Sequence, residues 1–578
     1  MAKAIKEAKS KKSVNSQALN WLLIGGSLVT LFIWSNLNDP FNAPKSWILF
    51  VTGSYLTGWV AFQLKVVIKD PILKIATYLS GGFLLSLLLA FIFTDQKFVG
   101  LFGESARRTG FLTYFCLTIF LLASAIIFRL SNISKFDFVT LIVGSIVSLY
   151  GFLQHFKIDV IKWNNPYNSV LSTLGNPDFA SAVMGIFLVL TVGILLNTSL
   201  KTWMRAWALA SALILTITIV FSQARQGLLA ALIGIGFIVL IFLYQKSKTL
   251  GHAATGIGVL GLVVGIMGML NQGPAAKYLY KISVTYRGDY WRAGINMFKH
   301  HFLFGVGLDR YGAYFRQYRD STQVLRRGPE TISNAAHNVP IQLASTGGIF
   351  VLLLFFALFG FVIWRSIVLI RKTSGNQQLV VASFVGAWIT YEAQSFISID
   401  NVGIAIWGWI LGGLIVGLSI VESEEKSSQK KSKENLLQPL ISGLAATMAL
   451  AVVIPLFLAD SQARLARSYG KPTSAQMSAY VAAVKKPLTY GFQDPSNKIL
   501  VGTLLVQQAD INEGSALLKS VVANDSRSYQ GLYVLALIAE QTKNFKDAIG
   551  YRRQMLALDP YNKENLSKLN EDLRASGK

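Results

Sequence analysis

Long apolar runs, each broken by a short polar stretch, dominate the first 458 residues of the chain. A helix needs about 20 apolar residues to cross roughly 30 Å of hydrocarbon. On that measure spans are expected near 18–36, 46–68, 72–93, 110–129, 137–155, 178–197, 252–271, 339–364 and 436–458. Two stretches are too long for one crossing. Residues 206–243 would form a helix about 57 Å long at 1.5 Å per residue, so the polar run Ser222–Gly227 marks a turn between two spans. Residues 378–421 must likewise fold back around Ser395–Asn401. The pattern predicts an all-α polytopic membrane protein of about 12–13 transmembrane helices.

Between the spans lies one large polar loop, 272–336, which closes on Ala336-His337-Asn338 where the chain re-enters the apolar phase. The loop is rich in Tyr and Arg and is strongly basic. From about residue 459 the composition changes to that of a soluble helical tail. The expected division is a basic cytoplasmic N-terminus at 1–17, a transmembrane domain at 18–458 and a helical domain at 459–578. In the tail Asp525/Asp559, Ala523/Ala557, Gly502/Ala536 and Val501/Leu535 each recur 34 residues apart. Leu532, Leu535, Ala536, Ala548 and Pro560 match a tetratricopeptide unit at the expected offsets. Such a tail reads as a small docking surface for a protein partner or as a stabilising cap.

Charge refines the topology. A net charge of +25 invites a nucleic-acid reading, but with 52% hydrophobic residues the basic side chains have another use. Lys65/Lys69/Lys74, Arg129/Lys135, Lys201/Arg205, Lys246/Lys248, Arg365/Arg371/Lys372 and Lys426/Lys430/Lys431/Lys433 fall on alternate turns, a positive-inside pattern. Lys3–Lys12 before the first run then belongs to a retained first helix with a cytoplasmic N-terminus. The opposite turns are basic only at Arg107-Arg108, at Lys157–Lys162 and in the large loop. Counterions for a phosphate-bearing ligand would explain those exceptions. The single Cys116 sits in an apolar run and offers neither a disulfide framework nor a thiolate metal site.

Several residues carry candidate chemistry. His337, beside Asn338 at a helix entrance, has the ordinary pKa near 6.5 that suits a general base or an oxyanion donor; an interfacial histidine bonded to backbone is the plain alternative. Arg225, with Gln223 and Gln226 around it, sits at the end of an apolar pair, where a guanidinium is costly unless paired or wet. It either binds phosphate bidentately or snorkels to the headgroups. Arg287 and Arg292 open an amphipathic helix running to His300; Arg287 either neutralises a pyrophosphate or pairs with Asp289. Gly305-Val306-Gly307 is explained by a turn. Arg108 and the Gly175-Asn176-Pro177-Asp178 run lie on other outward turns and also read as turn and helix-cap residues. Glu392 and Asp400 are acids near span ends, either functional or partners for Arg225. There is no Lys-Ser/Thr nucleotide loop, no Asp-rich cation cluster and no His-Glu-x-x-His. Glycosyl transfer without metal remains open if the donor's leaving group is a diphosphate that arginines can neutralise.

Taken together, Ser222-Gln-Ala-Arg225-Gln-Gly227, then Arg287-Gly-Asp-Tyr-Trp291 running to Phe304-Gly305-Val-Gly307, then His337-Asn338 leading to Gly347-Gly348, resemble the O-antigen ligase and polymerase family of bacterial envelope proteins. The resemblance covers roughly residues 18–421. It implies a metal-independent, inverting glycosyltransferase with no cofactor, working at the outer face of the cytoplasmic membrane. The donor would be an undecaprenyl diphosphate-linked glycan, and the acceptor a lipid A core, another glycan or a protein. By carry-over Arg225 and Arg287 would hold the diphosphate and His337 would orient or deprotonate the acceptor hydroxyl. Arg108, Asn176, Arg292, Asn338 and Gln226 would bind substrate. Gln223 and Gln226 depart from the small residues the family often has around the arginine. The rival reading is a multi-span transporter or lipid-glycan flippase, which should show inverted repeats and helices broken at mid-membrane. No such repeat is visible.

Overall fold

The computed structural model describes residues 2–128, 133–159, 161–163, 170–420 and 437–577, with only the backbone for residues 2–15 and 66. Arg129, Lys426, Lys430, Lys431 and Lys433 lie outside the described residues. All regular structure among those described is helical. The first half runs through α1 (Ala2–Leu31), α2 (Asn42–Val67), α3 (Pro71–Ile92), the short α4 (Lys97–Phe102), α5 (Phe111–Phe128), α6 (Ile133–His155) and α7 (Pro177–Leu196). Then come α8 (Thr202–Phe221), α9 (Arg225–Lys246) and α10 (Lys248–Met269). The long apolar stretch 206–243 is therefore two helices, broken at the polar turn as its length requires. The large loop carries α11 (Ala276–Leu279), α12 (Ile282–His300), α13 (Tyr311–Tyr318) and α14 (Ser321–Arg327). The bundle resumes with α15 (Val339–Lys372), α16 (Gly375–Ser395), α17 (Val402–Leu418) and α18 (Leu437–Ser468).

Ten of these helices are long and apolar enough to cross a membrane, and α17 is a shorter apolar helix. The protein is an integral membrane protein of helices. α17 can be short because it never meets lipid: Val402 through Gly417 are all buried. Its Trp407 meets Phe187 and Phe136 edge-on at 5.0 and 6.2 Å, and donates through Nε1 to Thr30 Oγ1 at 2.7 Å. α5, α16, α1 and α15 pack around it.

One span is broken. Gly348 in α15 adopts φ of 81°, and the kink frees backbone groups that hydrocarbon cannot satisfy. The loop segment 302–307 supplies the missing partners. Val306 N–H donates to Ser345 O at 2.8 Å, Gly307 N–H to Thr346 O at 3.2 Å, and Ile349 N–H to Phe302 O at 2.9 Å. A Cβ on Gly305 would stand 2.3 Å from the Thr346 carbonyl carbon, and one on Gly348 2.1 Å from Leu303 O. The Gly305-Val306-Gly307 run is thus a splice between backbones rather than a simple turn.

The tail begins without a linker. α18 continues past Pro455 to Ser468, ten residues beyond the expected span, with Asp460 and Ala463 buried. Then come α19 (Met477–Lys485), α20 (Pro495–Gln508), α21 (Ile511–Asn524), α22 (Tyr529–Gln541), α23 (Phe545–Leu558) and α24 (Lys563–Ala575). α20, α22 and α24 start 34 residues apart, as do α21 and α23. Helix pairs cross where side chains are smallest: Gly502 against Gly514, and buried Ala536 and Ala548 one period later.

The tail docks on the large loop through arginines. Arg310 reaches Asp525 at 2.8 Å and Asp95 at 2.8 Å. Arg319 and Asp559, both with fully buried side chains, pair at 2.7 Å, and Arg316 joins Asp559 at 3.0 Å. Arg319 also donates to the carbonyls of Pro329 and Thr331 at 2.9 and 3.1 Å. Asp525 and Asp559 are the recurring aspartates of the sequence; each follows its helix and captures a loop arginine.

Two outcomes follow from this packing. Gly348→Ala forces an L-residue into left-handed backbone at about 1–2 kcal/mol before the clash with Leu303, so thermal unfolding in detergent should shift clearly downward. Gly360→Ala on the same helix, where an added Cβ meets nothing, should leave the midpoint unchanged. Asp559→Ala strands a buried guanidinium and should cost about 3–5 kcal/mol, read as lost protease protection of the 310–331 segment. Replacing both Asp559 and Arg319 by apolar residues should recover much of it.

Candidate functional site

The site forms where several helices begin on the face that carries the large loop. α7 is capped by Asn176, whose Oδ1 accepts from Asp178 N–H at 2.8 Å, with Pro177 at its first position. α9 begins at Arg225 behind Ala224, which has no side chain to cap it. The two helices lie very close, since a Cβ on Gly227 would stand 2.2 Å from the Ser181 carbonyl carbon. α15 begins after Asn338, which caps Ile341 N–H at 2.8 Å and donates to Phe396 O at 2.7 Å. Positive helix ends and uncapped N–H groups favour an anion here.

Arg287 ties these ends together. It projects from α12, and its Nη2 donates to Gln226 Oε1 at 3.1 Å and lies 4.0 Å from Asp178 Oδ2. Burial pushes this guanidinium down from its usual range, and Asp178 opposes the push. Gln226 is buried, and among the described residues its Nε2 has no hydrogen-bond partner. Arg225, the neighbour of Gln226, is exposed and donates to the Tyr278 carbonyl at 2.8 Å. The α9 start therefore offers one exposed guanidinium and one unpaired amide beside a third, half-buried donor.

His337 occupies the turn before Asn338 with φ of 54°, a left-handed conformation that an L-residue holds only under constraint. The constraint is α12. Tyr290 stacks on the imidazole at 5.0 Å and 26°, and Trp291 Nε1 donates to the His337 carbonyl at 3.3 Å. Tyr290 is in turn held by Arg327, which donates to its hydroxyl at 2.6 Å and lies 3.8 Å over the Tyr286 ring. Among the described residues no hydrogen bond is made to the imidazole itself. Burial, followed by the charges of Arg287, Arg107 and Arg327, holds its pKa down at about 3. His337 is thus a neutral ring in a positive field.

The structure brings Arg287, Gln226 and His337 to one region, with Asn176 and Asn338 as the caps that start two of its helices, while Arg225 starts α9 beside Gln226 with its guanidinium on the Tyr278 carbonyl. Arg292 stands aside, held by Asp289 and Asp320. Asp289 pairs with Arg292 and Arg326 and not with Arg287. Arg108 lies elsewhere: it is buried and meets Asp494 at 3.2 Å and Asp460 at 3.9 Å, joining the α4–α5 turn to the tail. Glu392 and Asp400 do not pair with Arg225; Asp400 accepts from the Tyr114 hydroxyl at 3.2 Å and Glu392 from Ser395 at 3.2 Å.

Two residues of the region, Tyr290 and Arg327, were given no role from the sequence, and Arg107 and Asp178 were noted there only as members of outward turns. Arg107, adjacent to Arg108, bonds Asn334 Oδ1 at 2.9 and 2.7 Å and contributes to the field on His337. Tyr290 stands three residues after Arg287, on the same helix face, so periodicity alone would have found it. Arg327 is brought in by tertiary folding of the loop and leaves no local signal.

Residues 210–356 match the family model described as O-antigen ligase. That segment contains Arg225, Gln226, Arg287, His337 and Asn338, together with the splice at Gly305–Gly307 and Gly347-Gly348. A search of curated proteins gave no match. Over residues 210–356 this integral membrane protein is thus similar to the O-antigen ligase family.

Proposed function

We propose that the protein transfers a glycan from undecaprenyl diphosphate to an acceptor hydroxyl, at the outer face of the cytoplasmic membrane, with inversion and without a metal. The observation that carries this reading is Arg287, which links the α9 start at Gln226 to the positive field around His337. Arg287, Arg225 and the Gln226 amide would hold the diphosphate. The acceptor oxygen attacks the anomeric carbon from the side opposite the diphosphate. The bond from that carbon to the diphosphate oxygen breaks, and undecaprenyl diphosphate leaves with the electron pair. The acceptor proton passes to His337.

A histidine this reluctant to ionise is a poor base in the empty site. Burial sets most of that reluctance, and an arriving diphosphate offsets the arginine charges that add to it, so its basicity rises when the donor is bound. General-base action is thereby tied to donor occupancy, which limits idle chemistry. Lys65, Lys69 and Lys74, Lys201 and Arg205, and Lys246 and Lys248 lie at helix ends opposite the loop-bearing face. That distribution supports an outward-facing site. The tail, with helix starts repeating every 34 residues, is read as a tetratricopeptide-like domain on that same outer face.

Arg225→Ala and His337→Ala should each lower transfer about 10²–10⁴-fold while membrane insertion and the unfolding midpoint stay as in the parent. Purified protein in nanodiscs, supplied with a polyprenyl diphosphate glycan and candidate acceptors, gives the measurement; parental rates in both variants would remove the assignment. The chain has five histidines, so ¹⁵N-imidazole spectra can follow His337. Its ring should remain neutral down to about pH 3, against an unfolded value of 6.5. Its contribution to stability is then present above pH 6.5 and lost as pH falls toward 3. Arg327→Gln should raise the His337 titration, and so should a bound diphosphate.

A further inference from the structure

Beside the docked tail lies a cavity apart from the diphosphate region. Its volume is about 360 Å³, within the range of small-molecule sites. One wall is the large loop, through Arg316 and Glu330; the other is the tail, through Tyr529 and Tyr533 of α22 and Asn565 and Lys568 of α24. The walls are fixed: Asp559, with a fully buried side chain, holds Arg316 at 3.0 Å, and buried Arg552 on the floor is gripped by Glu540.

The lining selects a chemistry. Each cation already has a carboxylate: Arg316 has Asp559 and Glu330, Arg552 has Glu540, and Lys568 has Glu571 at 2.8 Å. No surplus charge is left to reward a phosphate or an acidic peptide. Few apolar anchors open into it, so an extended peptide finds little purchase for its side chains. What remains is an aromatic platform, Tyr533, 40% exposed on its helix with the Arg552 guanidinium 5.9 Å from its ring, bordered by amides, a hydroxyl and paired charges. Aromatic faces that take the C–H side of a ring, with planar polar groups around the edge, suit a sugar chain.

Position along the chain sharpens the idea. Glu330 precedes His337 by seven residues, and seven extended residues span at most about 25 Å. Glu330, on the cavity edge, therefore lies within that distance of His337, a reach that an oligosaccharide can span. Resting on the glycan-transfer reading above, we propose that this loop–tail cavity is a saccharide subsite that holds the glycan substrate several sugar units from its reacting end.

The test uses the full-length protein in nanodiscs and, as probe, the oligosaccharide released by mild acid from the lipid-linked glycans of the producing cells. Saturation-transfer NMR and calorimetry should detect binding that Tyr533→Ala weakens at least tenfold, that Tyr533→Phe retains, and that His337→Ala leaves intact. In transfer assays Tyr533→Ala should raise KM at least tenfold for long glycans, with kcat kept and with single-sugar donors unaffected. Absence of oligosaccharide binding, equal binding by Tyr533→Ala, or capture of extended peptides in place of sugars overturns the subsite. Tyr533-dependent binding in a protein that transfers nothing would keep the subsite and remove the catalytic reading instead.

Discussion

The break in α15 is the constraint on which the loop-bearing face depends. A span can interrupt its own ladder only if something else bonds the freed groups. Here the chain does so by folding its own loop back, so that Val306, Gly307 and Phe302 complete the bonding of Ser345, Thr346 and Ile349. Once that splice is made, α12 is pinned on one side of it and the His337 turn on the other. Gly294 lets the two come together, since a Cβ there would press within 2.7 Å of Ile341. A loop that looks like free surface in the sequence is thus fastened to a membrane helix by main-chain bonds, and the imidazole inherits that rigidity.

Electrostatics then decide what the rigid turn is for. A lone histidine at an interface would titrate near neutrality, but this one is lowered by its burial and then by Arg287, Arg107 and Arg327, and it is stacked on Tyr290. Of these, Arg287 is only partly neutralised, with Asp178 at 4.0 Å, the longest of the ion pairs described here. A site that is positive, half-dry and edged by helix N-termini is poised for an anion it does not contain within its own side chains. The same arrangement makes the histidine an indicator of whether that anion has arrived.

Much of this was legible because membrane physics leaves few choices. Span lengths forced the breaks at Ser222–Gly227 and Ser395–Asn401, and both fall where helices end and restart. Arg225, Arg287 and His337 drew notice because charge and imidazole are rare at such places. What escaped was set by side-chain direction. Arg107 and Arg108 are neighbours in one turn, yet one faces Asn334 and the other Asp494, and no pattern in the sequence distinguishes them. Arg292 looked like Arg287 five residues earlier, but a step of five on a helix rotates the side chain away, toward Asp320. The continuous α18 also hid the tail boundary, because the helix runs unbroken to Ser468 and its Asp460 is buried against Asn38, Asp39 and Arg108 rather than exposed in a linker.

The tail's role follows from where its repeating aspartates point. In a free-standing repeat domain Asp525 and Asp559 would face water and contribute little. Both instead close on arginines of the loop, and Arg319 passes the restraint to the carbonyls of Pro329 and Thr331, a few residues before His337. Such buried pairs are costly to desolvate and gain little net stability over apolar packing, so stability alone is a weak reason to keep them. Register is a better one: an arginine fork accepts a carboxylate in few geometries, and one repeat period separates the two captures. The period of the tail therefore sets the spacing of two fixed points on the loop that ends at the site.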